Sequence, residues 1–421
     1  MKLIAINLER YRPFMAPLRL EIRPMTILIG KNSSGKSMLA RLPSLLARAV
    51  SDEAESPLDL QFDEMDFGGS YNDLIHGRTP HGHLILGIEA EDDAGNIASF
   101  KARLQHFRER EELAVTEFEY MYNNGSVIRL KSSLDTIWTP APIYIDDNNN
   151  VGSVNFVGIY PRNIDQTFGK TNINMALQGL ALFQSVLSKP TYLGPFRDLP
   201  RRSYPMAPQT LRSLGPRGER AGAFMADDQF RRGAFIAGEI GTWFETHMGG
   251  QRIEARRDGT GYALVVQDAM RELAEVGLLD TGTGLAQILP LVALRFGVAA
   301  QRLSTSLVTM EQPELHLHPA AHGNVCDLFL ELARSGTPCL VETHSEAFIM
   351  RLRRRIAAGE FPYQDVILHS VDHNDPRENN SPYVKSIEFS SEGTPATWPK
   401  GVFEETYQDV LEIRKAIRER R

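Results

Sequence analysis

The chain has 421 residues, 42% of them hydrophobic and 24% charged, enough to bury a large core in two or three lobes. A net charge of −7 excludes a whole-molecule field that attracts nucleic acid, so any such contact must be local. The absence of a run of about 18 apolar residues excludes a spanning helix, and the charged start MKLIAINLERYRPF lacks the apolar centre of a signal peptide. A cytoplasmic protein with no membrane partner is therefore expected. Cys326 and Cys339 lie in apolar segments without metal-ligand spacing and read as buried thiols of a reducing compartment.

In chain order, LIAINL and LRLEI read as two strands, and Met25 to Ile29 is an apolar strand that leads into GKNSSGKS. A helix over Met38 to Ala49 follows. A glycine-rich turn between strand and helix points successive backbone N–H groups at one spot, and the helix N-terminus adds partial positive charge. Gly30, Lys31, Asn32, Ser33, Ser34, Gly35, Lys36 and Ser37 thus form a phosphate cradle. Lys36 would reach the β- and γ-phosphates and the Ser37 hydroxyl would bind Mg²⁺.

From about Ser51 to Pro190 the segments HLILGIEAED, SFKARLQHF, VTEFEYMYNNGSVIRL and VNFVGIY predict strands, with a hairpin at Asn123-Asn124-Gly125. The spacing of Ile173, Leu177, Leu180, Phe183 and Leu187 predicts a helix over 172–188. After the strand TYLGP comes a Pro- and Gly-rich loop in which six arginines, between Gly194 and Arg220, face only Asp198 and Glu219. These arginines either contact phosphate or nucleic acid or pair with acids elsewhere. A helix over Gln229 to His247 and two strands around Asp258-Gly259 come next.

LLDTGTGLAQILPLVALRFGVAA then places small residues at the start of an apolar helix. SLVTMEQPELHLHP is a hydrophobic strand ending in Glu311, where a Mg²⁺-bound water finds a carboxylate. PCLVETHSEAF is a second such strand, ending in Glu342, Thr343, His344 and Ser345. His316, His318 and His322 are three histidines over seven residues, a spacing open to zinc ligation.

The ordered set GKNSSGKS, DTGTG, MEQPELHLHP, ETHSE resembles the ABC-type ATPase heads of the overcoming-lysogenisation-defect (OLD) family, and more distantly RecF and SMC proteins. The likeness covers roughly 1–75 and 190–421, and DFGGSYNDLIHG, from Asp66, resembles the family's linker after the phosphate loop. It implies an α/β fold, a P-loop NTPase of ABC/SMC-head type with an antiparallel β insertion between phosphate loop and signature motif. The divisions are 1–60 (phosphate-loop part), 61–190 (β-rich insertion) and 191–421 (signature, acidic strand, switch histidine and tail). The resemblance also implies ATP and Mg²⁺ as cofactors and a head-to-tail homodimer or higher homo-oligomer closed around ATP. Thr281, Gly282, Thr283 and Gly284 of one chain would complete the phosphate loop of another. Glu311 matches the Mg²⁺-water carboxylate and His344 the switch histidine. For His316, His318 and His322 the resemblance implies, instead of zinc ligation, a D-loop at the dimer contact, with His318 where ABC heads usually have aspartate. Gln312 stands where many ABC heads place the glutamate that activates water.

A glutamine can hold water but cannot take its proton, so hydrolysis is expected to be slow unless a neighbour substitutes. Glu314 is near enough along the chain to do so; otherwise it caps the turn after Pro313. Gln312, Glu314 and His344 are the catalytic candidates.

Three functions remain open. The first is the ATPase subunit of a bacterial antiphage defence system, controlling a separate nuclease or toxin; it rests on the lack of a long coiled coil and of an appended nuclease, since 77 residues follow His344. The second is a RecF-like repair ATPase gripping DNA through the arginine loop and the Arg351, Arg353, Arg354, Arg355 cluster. The third is a nucleotide-switched scaffold with little turnover. Charges along the tail, Glu404, Glu405 and Asp409 first and Arg414, Lys415, Arg418, Arg420 and Arg421 last, predict a final helix that complements its own dipole.

Overall fold

The computed structural model describes residues 1–79, 81–268, 275–372 and 382–398. The predicted tail helix beyond Glu404, and the loop DHNDPRENN after Asp372, lie outside the described residues. The chain starts with strands β1 (Lys2–Glu9), β2 (Leu18–Glu21) and β3 (Met25–Gly30), and β3 feeds helix α1 (Lys36–Val50). Every residue of β3 is buried, because it lies inside a sheet covered on both faces, and that is why it reads as an unbroken apolar run.

The alternating block folds as β4 (His83–Glu91), β5 (Ile97–Phe107), β6 (Glu112–Tyr122), β7 (Gly125–Ser132), β8 (Ile143–Asp146), β9 (Val151–Val157) and β10 (Tyr160–Ile164). Asn123 and Asn124 take φ of 46° and 64°, the left-handed pair that a tight hairpin needs. Helix α2 (Lys170–Val186) packs on this sheet. The sheet is not confined to 61–190. Its nine strands run β10-β9-β8-β7-β6-β5-β4-β1-β2, so β1 and β2 from the first 60 residues complete it. The buried side chains Leu3, Ile6, Leu8 and Leu20 join the core of the block, which ties the block to the strand before the phosphate loop.

The rest of the chain supplies β11 (Pro190–Leu193), α3 (Ala221–Arg231), α4 (Phe235–His247), β12 (Gln251–Asp258), β13 (Gly261–Asp268), α5 (Thr283–Ala299), β14 (Leu307–Glu311), α6 (Pro319–Arg334), β15 (Cys339–Glu342), α7 (Glu346–Ala357), β16 (Val366–Asp372) and β17 (Tyr383–Ile387). The helix expected over Gln229 to His247 is two helices. Gly233 and Ala234 adopt φ of 85° and 62° and break it, while the Asp228 carboxylate accepts the Ala237 N–H at 2.9 Å to start the second.

A second sheet, β11-β14-β15-β3-β16-β17, is parallel except for its β17 edge. One face, with Leu28, Leu307, Leu340 and Val371, shares a core with α1 and the antiparallel sheet. The other, with Ile27, Ile29, Val308, Met310 and Val341, packs on helices α3 to α7. Helix α1 is therefore sandwiched between sheets. Burying Leu39, Leu42, Leu45 and Leu46 contributes roughly 1.5–3 kcal/mol each, which exceeds the cost of about 3 kcal/mol for Pro43 inside the helix. Because the central strands are parallel, Gly30, Glu311 and Glu342 all come off the same edge of the sheet, where open α/β folds bind ligands.

Candidate functional site

The phosphate loop turns only with glycine at its ends. Gly30 has φ +148° and Gly35 φ +99°; a Cβ at the first would lie 2.2 Å from the Val371 carbonyl oxygen, and at the second 2.9 Å from the Phe14 ring. Gly35 caps α1 without a side-chain acceptor, and no acid lies in the first turn, so the first N–H groups of the helix stay available to an anion. Lys31, Asn32 and Ser33 are exposed along the rim, and the Ser34 hydroxyl is buried without a partner. Lys36 is 3% exposed, and its ammonium donates to the Gly30 carbonyl at 3.1 Å and the Lys31 carbonyl at 2.7 Å. Burial lowers its pKa, opposed by the charges of Glu342 and Glu311. A phosphate offers this ammonium stronger, charge-assisted bonds than two carbonyls do, so the loop fits a polyphosphate.

Two glutamates end adjacent strands in register, Glu311 on β14 and Glu342 on β15. Since β15 lies between β14 and β3, Glu342 is next to the loop: Ser37 donates to its Oε2 at 2.8 Å, and Lys36 Nζ is 3.8 Å from its Oε1. Burial, then the charges of Glu311 and Glu314, push the Glu342 pKa up to about 7. Glu311, the residue read from sequence as the metal carboxylate, accepts instead from Arg41 Nε at 2.9 Å and from the Tyr192 hydroxyl.

The turn after β14 is held by a buried arginine. Arg197 Nη2 donates to the carbonyls of Glu311 (3.0 Å) and Gln312 (2.9 Å), while its Nε and Nη1 have no partner. Burial pulls its pKa down to about 10. Gln312 sits at φ 43° and donates its N–H to the Glu342 carbonyl at 2.8 Å. One oxygen of Glu314 accepts from the Thr343 hydroxyl (2.9 Å) and the His344 N–H (2.7 Å), and its other oxygen is buried without a partner. The structure thus brings Glu314, Gln312 and His344 to one edge, beside Lys36 and Ser37. His344 is exposed, and partial desolvation and then the Lys36 charge lower its pKa.

Thr281 to Gly284 have their contacts elsewhere in the chain. The Thr281 hydroxyl donates to the Leu278 carbonyl at 2.8 Å, Gly282 caps α5, and Gly282 and Thr283 are exposed. A Cβ at Gly284 would lie 2.9 Å from the His316 carbonyl oxygen, so this glycine lets α5 approach the turn after β14. The three histidines diverge: His318 caps α6 through the Ala320 N–H, and His322 bridges the Ser345 hydroxyl (2.7 Å) and the Leu317 carbonyl (3.2 Å). Among the described residues no group of three His, Cys, Asp or Glu side chains converges on a metal position.

Most of the arginines pair internally. Arg202 is bidentate with Asp280, Arg217 meets Asp198, and Arg220 meets Glu64. Arg351 and Arg355 share Asp327, and Arg353 donates to the Gly393 carbonyl. Sequence reading gave no role to Glu342, Arg41 or Tyr192, and took Arg197 only as one of the loop arginines. Arg41 lies one turn beyond Ser37 on α1, a spacing that signals a shared face. A cleft of about 460 Å³ beside β11, lined among others by Arg48, Lys189 and Arg212 of the arginine-rich loop, contains none of the four glycine-rich and acidic motifs.

Residues 245–349, which include DTGTG, Glu311 to Glu314 and His344, match the family described as AAA ATPase domain. The buried strand β3, the glycine turn and α1, set in a mainly parallel sheet, give the chain an α/β fold of P-loop type. Solved structures similar to the chain include an SMC head bound to the C-terminal winged-helix domain of ScpA, at 12% identity over 92% of this chain and 98% of that one, TM-score 0.49. The SMC head domain from Thermotoga maritima matches at 13% identity over 92% and 100%, TM-score 0.42. An SMC head with an extended coiled coil, bound to the C-terminal domain of ScpA and derived from Pyrococcus furiosus, matches at 10% over 98% and 99%, TM-score 0.43. No curated protein matches the chain. No helix among the described residues is long and apolar enough to cross a membrane.

Proposed function

We propose that this chain is an ABC-type ATPase that binds ATP between two copies of itself and controls a protein partner, the nuclease or toxin of a bacterial antiphage defence system, in the cytoplasm. The observation that carries the ATPase reading is Glu314. It is 8% exposed, is fixed through one oxygen to Thr343 and His344, and keeps its other oxygen unpaired at the edge that holds the phosphate loop.

The loop amides and Lys36 bind and orient the phosphates, and the α1 N-terminus adds its dipole. Ser37, with a carboxylate from the tips of β14 and β15, would hold Mg²⁺, which would neutralise charge developing on the phosphate oxygens. The free oxygen of Glu314 takes the proton from the attacking water, while the Thr343 and His344 bonds keep it aimed. Gln312 orients that water through its amide without removing a proton. His344 would sense the terminal phosphate, as a switch histidine does. Exposed Gly282 and Thr283, at the positive end of α5, would contact the phosphates held by the partner copy's loop. Among the described residues, the internal pairing of Arg202, Arg217, Arg220, Arg351 and Arg355 counts against the DNA-gripping alternative.

Phosphate release and equilibrium nucleotide binding test this together. Glu314→Gln should lower turnover by roughly 10²–10⁴-fold with ATP affinity retained, the range for losing a general base. Unchanged turnover would remove Glu314 from the mechanism. ATP-dependent dimerisation without phosphate release from the wild type would favour the scaffold function instead. Co-purification of a nuclease encoded beside the gene tests the partner.

A further inference from the structure

We infer that Glu342 is a cation-binding residue of the site, securing the divalent metal together with Ser37; the inference rests on the ATPase reading above. Sheet order makes Glu342 the carboxylate next to the loop, because β15 separates β14 from β3. Its Oε2 already accepts from the Ser37 hydroxyl at 2.8 Å. A hydroxyl has one hydrogen and two lone pairs, so Ser37 can donate to Glu342 and still turn a lone pair to a metal. Glu311 is placed differently, held from outside the loop by Arg41 and the Tyr192 hydroxyl.

The second argument is electrostatic. Glu342 is 2% exposed, and the cation paired with it is Lys36, 3.8 Å away. When phosphates enter the loop they draw the Lys36 ammonium off the loop carbonyls and bring further negative charge beside Glu342. A carboxylate left so deeply buried without a cation is strongly unfavourable. A divalent cation at Ser37 resolves the conflict, and a hard cation such as Mg²⁺ needs only one or two protein oxygens when phosphates and waters complete its shell. The unpartnered, buried second oxygen of Glu314 and the unpartnered Ser34 hydroxyl point independently to a ligand at this place.

The test uses a fluorescent, non-cleavable ATP analogue with full-length wild type, Glu342→Gln, Glu342→Asp and Glu311→Gln, first in chelator and then titrated with Mn²⁺ read by electron paramagnetic resonance. For Glu342→Gln, Mn²⁺ affinity should fall at least ~10-fold while metal-free analogue affinity stays within about threefold of wild type. Glu342→Asp, which keeps the charge on a shorter arm, should fall between, and it carries the test if the glutamine variant does not fold. Wild-type Mn²⁺ affinity in Glu342→Gln, or a larger loss in Glu311→Gln than in Glu342→Gln, overturns the inference while leaving the ATPase reading standing. Failure of the wild type to bind the analogue at all overturns that reading, and this inference with it.

Discussion

The tips of β14 and β15 carry the same side chain at the same depth, in register and on neighbouring strands, yet they differ in what holds them. Glu311 and Glu342 are each 2% exposed. One is paired with Arg41 and accepts a hydrogen bond from Tyr192, side chains outside the phosphate loop, and the other faces Ser37 and Lys36 within it. Burial therefore does not separate a structural carboxylate from a ligand-directed one. The partners do, because an arginine and a tyrosine satisfy a carboxylate permanently, whereas a lysine and serine of a phosphate loop have other business when nucleotide arrives.

The largest effect belongs to the loop itself. Lys36→Ala removes its only side-chain ammonium held at the Gly30 carbonyl and should weaken ATP binding at least ~100-fold by calorimetry, since several charge-assisted bonds are lost. Retained affinity would break the contrast at its root. Next, Glu311→Ala strands a half-exposed guanidinium and a buried phenol, and should cost about 2–3 kcal/mol in urea unfolding. Glu342→Gln keeps an acceptor for Ser37 and should change stability in neutral buffer by less than Glu311→Ala does. Equal losses would mean that both glutamates are structural.

The smallest effect sharpens the comparison through pH. With its pKa raised from 4.5 to about 7, Glu342 favours the folded state when protonated. Its contribution is fully present below pH 4.5 and is lost as pH rises through about 7. Nucleotide- and metal-free wild type should therefore lose on the order of 1–3 kcal/mol across that interval relative to Glu342→Gln, which cannot ionise. Parallel urea midpoints for the two proteins, measured against pH, check it; identical slopes would contradict the assignment.

What the sequence disclosed was what is local. The phosphate loop was legible because strand, turn and helix are contiguous, and the Asn123-Asn124-Gly125 hairpin because left-handed φ is written into those residues. The contact between Ser37 and Glu342 spans 305 positions and depends on which strand lies next to β3, which no periodicity encodes. Pairing of β1 with β4 was hidden for the same reason, so the antiparallel block looked like a separate insertion. The break at Gly233 was masked by apolar spacing that continues through it. The arginines were visible as a cluster, but their acids, such as Asp280, Glu64 and Asp327, lie far along the chain, and a cluster read without its acids looks like a binding surface.

The long reach of β3 also governs how the molecule is made. Residues 25–28 pair with 339–342 on one side and 25–30 with 366–371 on the other, so the strand before the glycine turn is synthesised more than 300 residues ahead of both its neighbours. Such non-local pairing is intrinsically slow to form. A nascent chain halted before residue 366 would carry every residue of the glycine turn and still lack one wall of the strand that presents it.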